Sequence, residues 1–181
     1  MLKIVIPPSD MWDERKNEFV PIPGCELQLE HSLVSISKWE AKWNKTFLSK
    51  VHKTNEETLD YIKCMTITQN VNPIVYTAIT DKQISEISAY INAPMTAVHF
   101  SDDDAKQNSR RTVTSEVIYS WMIALNIPVE FQKWHLNRLL TLIRVCNIEN
   151  QPKKKRHSSK EILSRNAALN AARRQRYNTK G

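Results

Sequence analysis

The chain has 181 residues, a mass of 21.1 kDa, 25% charged residues and a formal net charge of +7, with glycine only at Gly24 and Gly181. That length suffices for one cored domain with a short appendage, while so little glycine excludes a dinucleotide fingerprint, a phosphate-cradling loop and collagen-like or linker sequences. No apolar run approaches the roughly 20 residues of a membrane span, Met1–Pro8 is too short and too soon interrupted to act as a signal peptide, and Cys25, Cys64 and Cys146 stand too far apart for a disulfide framework, which predicts reduced thiols in a cytoplasm.

The first 30 residues predict short extended segments. Leu2, Ile4, Val5 and Ile6 suit a strand closed by Pro7-Pro8, and Phe19 to Ile22 suits a second closed by Pro23-Gly24. The polar stretch Ser9 to Asn17 reads as the loop of a loose hairpin, and its flanking prolines suit edge positions. Helical spacing then takes over. Leu29, Leu33, Ile36, Trp39 or Glu40, and Trp43 recur every three or four residues, with Lys38, Glu40 and Lys42 largely on the other side. Thr54-Asn55-Glu56-Glu57 is a capping box, in which the Thr oxygen accepts an orphan N–H and the Glu reaches back. It opens an amphipathic helix through Leu59, Ile62 and Met65. A second box at Thr80-Asp81-Lys82-Gln83 opens a helix with Ile84, Ile87 and Ile91 on one stripe, stopped by Pro94.

Met95 to Phe100 has strand character, and Asp102, Asp103 and Asp104 open a solvated loop that runs to Arg111. Thr114 or Ser115 caps a helix bearing Val117, Ile118, Trp121, Met122 and Leu125. Pro128 is placed as the first residue of a long helix to about Asn147. That run is apolar on most of its circumference, which predicts the central helix of the core. The fold class that follows is α+β: five or six helices in a mostly helical domain over 1–150, with a small β element from the N-terminus and the 95–100 segment.

The positive charge is concentrated at one end. Residues 151–181 hold ten Lys/Arg against the single acid Glu161, a charge of +9; the preceding 150 residues hold 16 basic and 18 acidic residues, net −2. Ser158-Ser159-Lys160-Glu161 repeats the capping pattern, and Ile162, Leu163, Ala167, Ala168, Leu169, Ala171 and Ala172 favour helix. The segment is a basic C-terminal arm, a helical tail expected to form fully only against a partner, which should be acidic, either nucleic acid or a protein surface; the plainer alternative is a disordered solubilising tail. Arg165, Arg173, Arg174 and Arg176 are its candidate contacts. It has no aromatic interleaving for stacking single strands and no zinc-finger or basic-zipper pattern, and its modest apolar edge also suits helix-in-groove docking. Trp39 and Trp43, one turn apart among Lys38, Lys42 and Lys45, read either as core packing or as an interface anchor.

The remaining candidates point away from catalysis. None of His31, His52, His99, His135 and His157 stands near a Cys or another His at ligand spacing, so no metal site is predicted. His135 beside Trp134 reads as a core histidine. Asp102–Asp104 lacks the alternating spacing of a calcium loop, and Cys64 and Cys146 fall in apolar stripes as buried thiols. No catalytic residue and no cofactor is predicted.

Several segments resemble a set of tailed-bacteriophage tail proteins, most nearly tail assembly chaperones. They are Leu27–Leu33 with Ile36–Glu40, Asp60–Thr66, Trp121–Pro128, Trp134–Leu139 and Ala168–Arg174. The resemblance runs over most of the chain and brings no catalytic residue. It implies a small non-enzymatic helper of virion morphogenesis in the host cytoplasm or associated with the virion. Such a protein binds the tape-measure protein and helps recruit tail-tube subunits; a homo-oligomer and no membrane are expected beside it, and the alternative, read from the basic arm and not from the resemblance, is a nucleic-acid-binding phage protein.

Overall fold

The computed structural model describes residues 1–14, 17–100, 112–150 and 159–178. It is an α+β structure in two compact units, Met1–Glu149 and Asn150–Gly181.

The first unit begins with a β-ribbon. Strands β1 (Leu2–Ile6) and β4 (Cys25–Leu29) pair antiparallel, as do β2 (Ser9–Asp13) and β3 (Glu18–Ile22). The two ladders share one register: Ile6 faces Cys25, and three residues farther along each strand Ser9 faces Ile22. They are therefore the base and the distal half of one long hairpin. Pairing fails between them because Pro7 and Pro8 face Pro23 and Gly24, and proline has no N–H to donate. Gly24 is required by contact: a Cβ there would stand 2.9 Å from Pro8 Cδ. The polar stretch Ser9–Asp13, expected as loop, is thus a strand. Its backbone pairs with β3, and Met11 packs partly buried against the hydrophobic core. Leu29, expected on the first helix, is the last residue of β4.

The base of the ribbon alternates cleanly. Ile4, Ile6, Leu27 and Leu29 are buried, while Lys3 and Glu26 face out and pair at 3.0 Å. Residues 65–68 cover the free edge of β4: Glu30 N–H donates to Met65 O, Ile67 N–H to Gln28 O and Gln28 N–H to Thr68 Oγ1. On β1, Gln83 Nε2 donates to Val5 O at 3.0 Å.

Helix α1 (Leu33–Trp43) starts at Ser32, which forms a capping box with Ser35, and ends at Asn44 in the left-handed region, φ 52°. Its buried face, Leu33, Ile36, Trp39 and Glu40, meets the buried Tyr61, Ile62 and Met65 of α2 (Asn55–Met65). The capping boxes at Thr54 and Thr80 form as the spacing predicts, opening α2 and α3 (Asp81–Asn92). A 3-10 turn, Pro73–Ala78, lies between those helices and packs against β3. Helix α4 (Ser115–Ala124) follows Thr114.

Three expectations change. Met95–Phe100 is not a strand: after Pro94, Met95 takes φ 51° and Val98 N–H turns back to Thr96 Oγ1, geometry that a β-ladder cannot continue. The small β element therefore comes from the N-terminus alone among the described residues. The run from Pro128 is not one helix. Pro128 opens a 3-10 turn, Val129–Lys133, and α5 (Leu136–Asn150) begins only after His135. Nor is α5 central. Leu136, Leu139 and Ile143 are its buried residues, Leu136 and Leu139 fully so, while α1 carries three fully buried side chains, Leu33, Ile36 and Trp39. The core is built around α1, which touches α2, α4 and the 3-10 turn at 129–133. Asp102, Asp103 and Asp104 lie outside the described residues, as does the capping residue Ser158.

Helix α6 (Ser159–Tyr177) is the described part of the second unit. Every side chain described on it is exposed.

Candidate interaction surfaces and a buried histidine cluster

Helix α6 is built for the solvent. Alanines give it propensity, Arg174 and Arg176 in the last turn complement the negative end of the helix dipole, and Asn178 follows at φ 52°. At 3.6 residues per turn, Arg165, Leu169, Arg173 and Arg176 fall along one side, spanning about 16 Å of helix, while Arg174 lies toward the other. Leu163, Leu169 and Tyr177 are exposed beside them, and the Arg176 guanidinium lies 6.0 Å from the Tyr177 ring centroid. This is a cationic helix with apolar side chains uncovered among its charges, suited to a partner that supplies carboxylates or phosphates.

The tryptophan pair divides. Trp39 is 1% exposed; its Nε1 donates to Glu57 O at 2.9 Å, and its ring meets Phe47 edge-on at 5.3 Å. It is a core residue, which corrects its reading as a contact for partners: the loop after α1 folds Phe47 back over it. Trp43 stacks on Trp39 at 6.2 Å but is only half-buried, and its Nε1 donates to Asp60 Oδ2 at 2.9 Å. The lysines around the pair hold acids. Lys42 bonds Asp60, Lys45 pairs with Glu57 at 2.5 Å, and Lys53 donates to Phe47 O while lying 4.4 Å from the Phe47 ring centroid. Burial would raise the Asp60 carboxyl, but the bonds from Lys42 and Trp43 outweigh it and hold the group below its ordinary range. The Lys45 bond holds Glu57 low as well, and burial pushes Lys53 down.

Sequence reasoning missed Glu40. It is 8% exposed and sits in the middle of α1, where its polar helix spacing suggests a solvated position. Its Oε1 accepts from Phe47 N–H and its Oε2 from Ser115 N–H, both at 2.8 Å. One side chain thus closes the loop after α1 and caps α4, for which Thr114 provides no side-chain cap. Nothing local marks this, because its partners lie 7 and 75 residues away.

The histidines read as isolated do meet in part. The rings of His31 and His135 lie 5.1 Å apart inside the core. His135 joins the segment between β4 and α1 to α3 and α5. Asn137 N–H donates to its Nδ1 at 3.3 Å, so Nε2 carries the proton and donates to Tyr90 O at 3.1 Å. The ring is therefore neutral, and both nitrogens are engaged in capping α5 and closing α3. His31 O accepts from Leu136 N–H at 2.7 Å, and Tyr61 OH lies 2.5 Å from His31 Nδ1. Beyond them Tyr90 OH donates to Glu30 Oε1 at 2.6 Å, and Glu30 Oε2 meets the Met1 ammonium at 3.1 Å. Burial first, and the neighbouring His135 second, push His31 down to about 3. Burial also lowers His135 and raises Tyr61 well above its ordinary value. This arrangement holds helices together.

Cys25, Cys64 and Cys146 are free thiols, each partly exposed. Burial followed by Asp60 raises the Cys64 thiol, which makes it a poor nucleophile. Among the described residues no group of three His, Cys, Asp or Glu is placed to hold a metal ion, and no helix is long and apolar enough to cross a membrane.

Comparison with protein-family models, curated proteins and solved structures finds no match in any of the three.

Proposed function

We propose that this chain is a non-enzymatic assembly factor that captures an acidic protein partner through α6, acting in tailed-phage tail morphogenesis as a tail assembly chaperone. The observation that carries the binding role is α6 itself. It is a 19-residue helix whose described side chains are all exposed, with Arg165, Leu169, Arg173 and Arg176 along one side. The resemblance of Leu27–Leu33, Asp60–Thr66, Trp121–Pro128 and Ala168–Arg174 to tail assembly chaperones supplies the setting: a tape-measure protein as the client, with tail-tube subunits recruited to it.

The test is co-purification with the tape-measure and tail-tube proteins of the same genome. Full-length protein retains the tape measure, and the triple variant R173E/R174E/R176E loses it while keeping its melting temperature. Equal retention by both proteins overturns the role of α6. The same stripe could follow phosphates, and a duplex-DNA titration separates the readings. Phosphate binding would fall steeply with salt; an absence of binding at low salt removes nucleic acid as a partner.

A further inference from the structure

The head of α5 is held to its neighbours by a clasp of three consecutive residues. Leu136 N–H donates to His31 O at 2.7 Å. His135 Nε2 donates to Tyr90 O at 3.1 Å, and Asn137 Nδ2 donates to Ile91 O at 3.0 Å and to Ala93 O at 2.8 Å. Carbonyls at the end of α3, where the helix ladder runs out, are thereby satisfied from α5. One contact ties the clasp together: Asn137 N–H donates back to His135 Nδ1 at 3.3 Å. Beyond the clasp α5 is lightly anchored, since only Leu136, Leu139 and Ile143 of its 15 residues are buried.

We propose that this clasp is a proton-operated latch: protonation of His135 opens the head of α5 from α3 and from the segment between β4 and α1, while α1 and α2 stay folded. An imidazole that donates from Nε2 can take a proton only at Nδ1. Nδ1 is the acceptor for Asn137 N–H, so the added proton sets two donors against each other. The cation would also stand 5.1 Å from the ring of His31 and 4.9 Å from that of Tyr90. Around the pair lie Tyr61 OH, 2.5 Å from His31 Nδ1 with Cys64 beyond it, and Glu30, whose oxygens meet Tyr90 OH and the Met1 ammonium. Lys53 lies across the Phe47 ring, and on the histidine's own segment Arg138 lies over Trp134. Burial, helped by the Met1 ammonium, outweighs the Tyr90 carbonyl and Glu30 and holds His135 below its ordinary value. A histidine released to water returns to that value of about 6.5, so opening takes up a proton and is favoured as pH falls below it.

The test is hydrogen exchange of the full chain at pH 7.0 and 5.5, expressed as protection so that the intrinsic pH dependence of exchange cancels. Ordinary carboxylates stay charged over this window. One excluded proton predicts that protection at the N–H groups of Leu136, Asn137 and Leu139 falls by about tenfold or more. At pH 5.5 it should stand at least about tenfold below that of Ile36 and Trp39 in α1. His135→Gln keeps a donor and an acceptor but takes no proton, and should remove the fall. Asn137→Ala keeps the histidine and deletes the two side-chain bonds to α3, and should lower protection at Leu136 about tenfold already at pH 7.0. The proposal is overturned if the parent's three amides keep their protection at pH 5.5, if they exchange together with those of α1, or if H135Q shows the parent's fall. Should H135Q melt well below the parent, the parent's profile and N137A decide, and N137A exchanging as the parent does at pH 7.0 overturns the clasp.

Discussion

The cations around Trp43 and those of α6 are the same kinds of side chain in opposite surroundings. In the globular unit Lys42, Lys45 and Lys53 are tied to Asp60, Glu57 and the Phe47 carbonyl, and their stems cover the aromatic cluster of Trp39, Trp43 and Phe47. In α6 Arg165, Arg173, Arg174 and Arg176 are exposed. A charge committed to a neighbour holds the fold, whereas a charge left in water is available to a partner. The net charge of +7 does not distinguish the two; the environment of each residue does.

Breaking the globular side should cost most. Trp39→Ala removes a fully buried ring and should destabilise the protein by about 3–5 kcal/mol in urea unfolding, with capture by α6 unchanged wherever the protein remains folded. A cost below about 1 kcal/mol would mean that the ring is not in the core.

The histidine cluster should make the same unit acid-sensitive. His31 is held down to about 3 against an ordinary 6.5, so the unfolded chain binds a proton that the folded chain refuses. Stability is unaffected by this group above pH 6.5 and falls as pH drops toward 3, the loss reaching a few kcal/mol, roughly 3–5, at the bottom of that window. His31→Gln should flatten this part of a pH-stability profile. An unchanged slope between pH 6.5 and 3 would remove His31 as its source.

Smaller effects sharpen the contrast. Glu40→Ala leaves the Phe47 and Ser115 N–H groups without their acceptor. It should cost about 2 kcal/mol and raise amide exchange at both positions. Gly24→Ala forces a Cβ against the Pro8 ring and should cost about 1 kcal/mol, read as a lower melting temperature. The triple reversal in α6 should change the melting temperature least, by about a degree or less, since it alters only exposed positions. A drop of several degrees would show that those arginines are part of the fold.

Local signals carried the helices well. The boxes at Thr54 and Thr80 are complete within four residues, and each forms. Where neighbours in space decide, the local signal failed. Ser9–Asp13 is polar enough to be a loop, yet its ladder to β3 makes it a strand. Met95–Phe100 has the composition of a strand but no partner strand in the described structure. Pro128 promised a helix start, but His135 sets it, because its ring and the His31 carbonyl supply the acceptors for the first N–H groups of α5.

By itself, then, the order of residues determined the α+β class, two capped helices and the segregation of positive charge to the last 31 residues, because spacing, capping and charge are properties of neighbours along the chain. Tertiary structure alone decided that Trp39 is core while Trp43 is half-exposed, that Glu40 closes a loop and caps a helix, that His31 and His135 share one buried cluster, and that Trp12 and Phe19 stand uncovered together. Each of these depends on groups far apart in sequence, and burial exists only once the chain has brought them together.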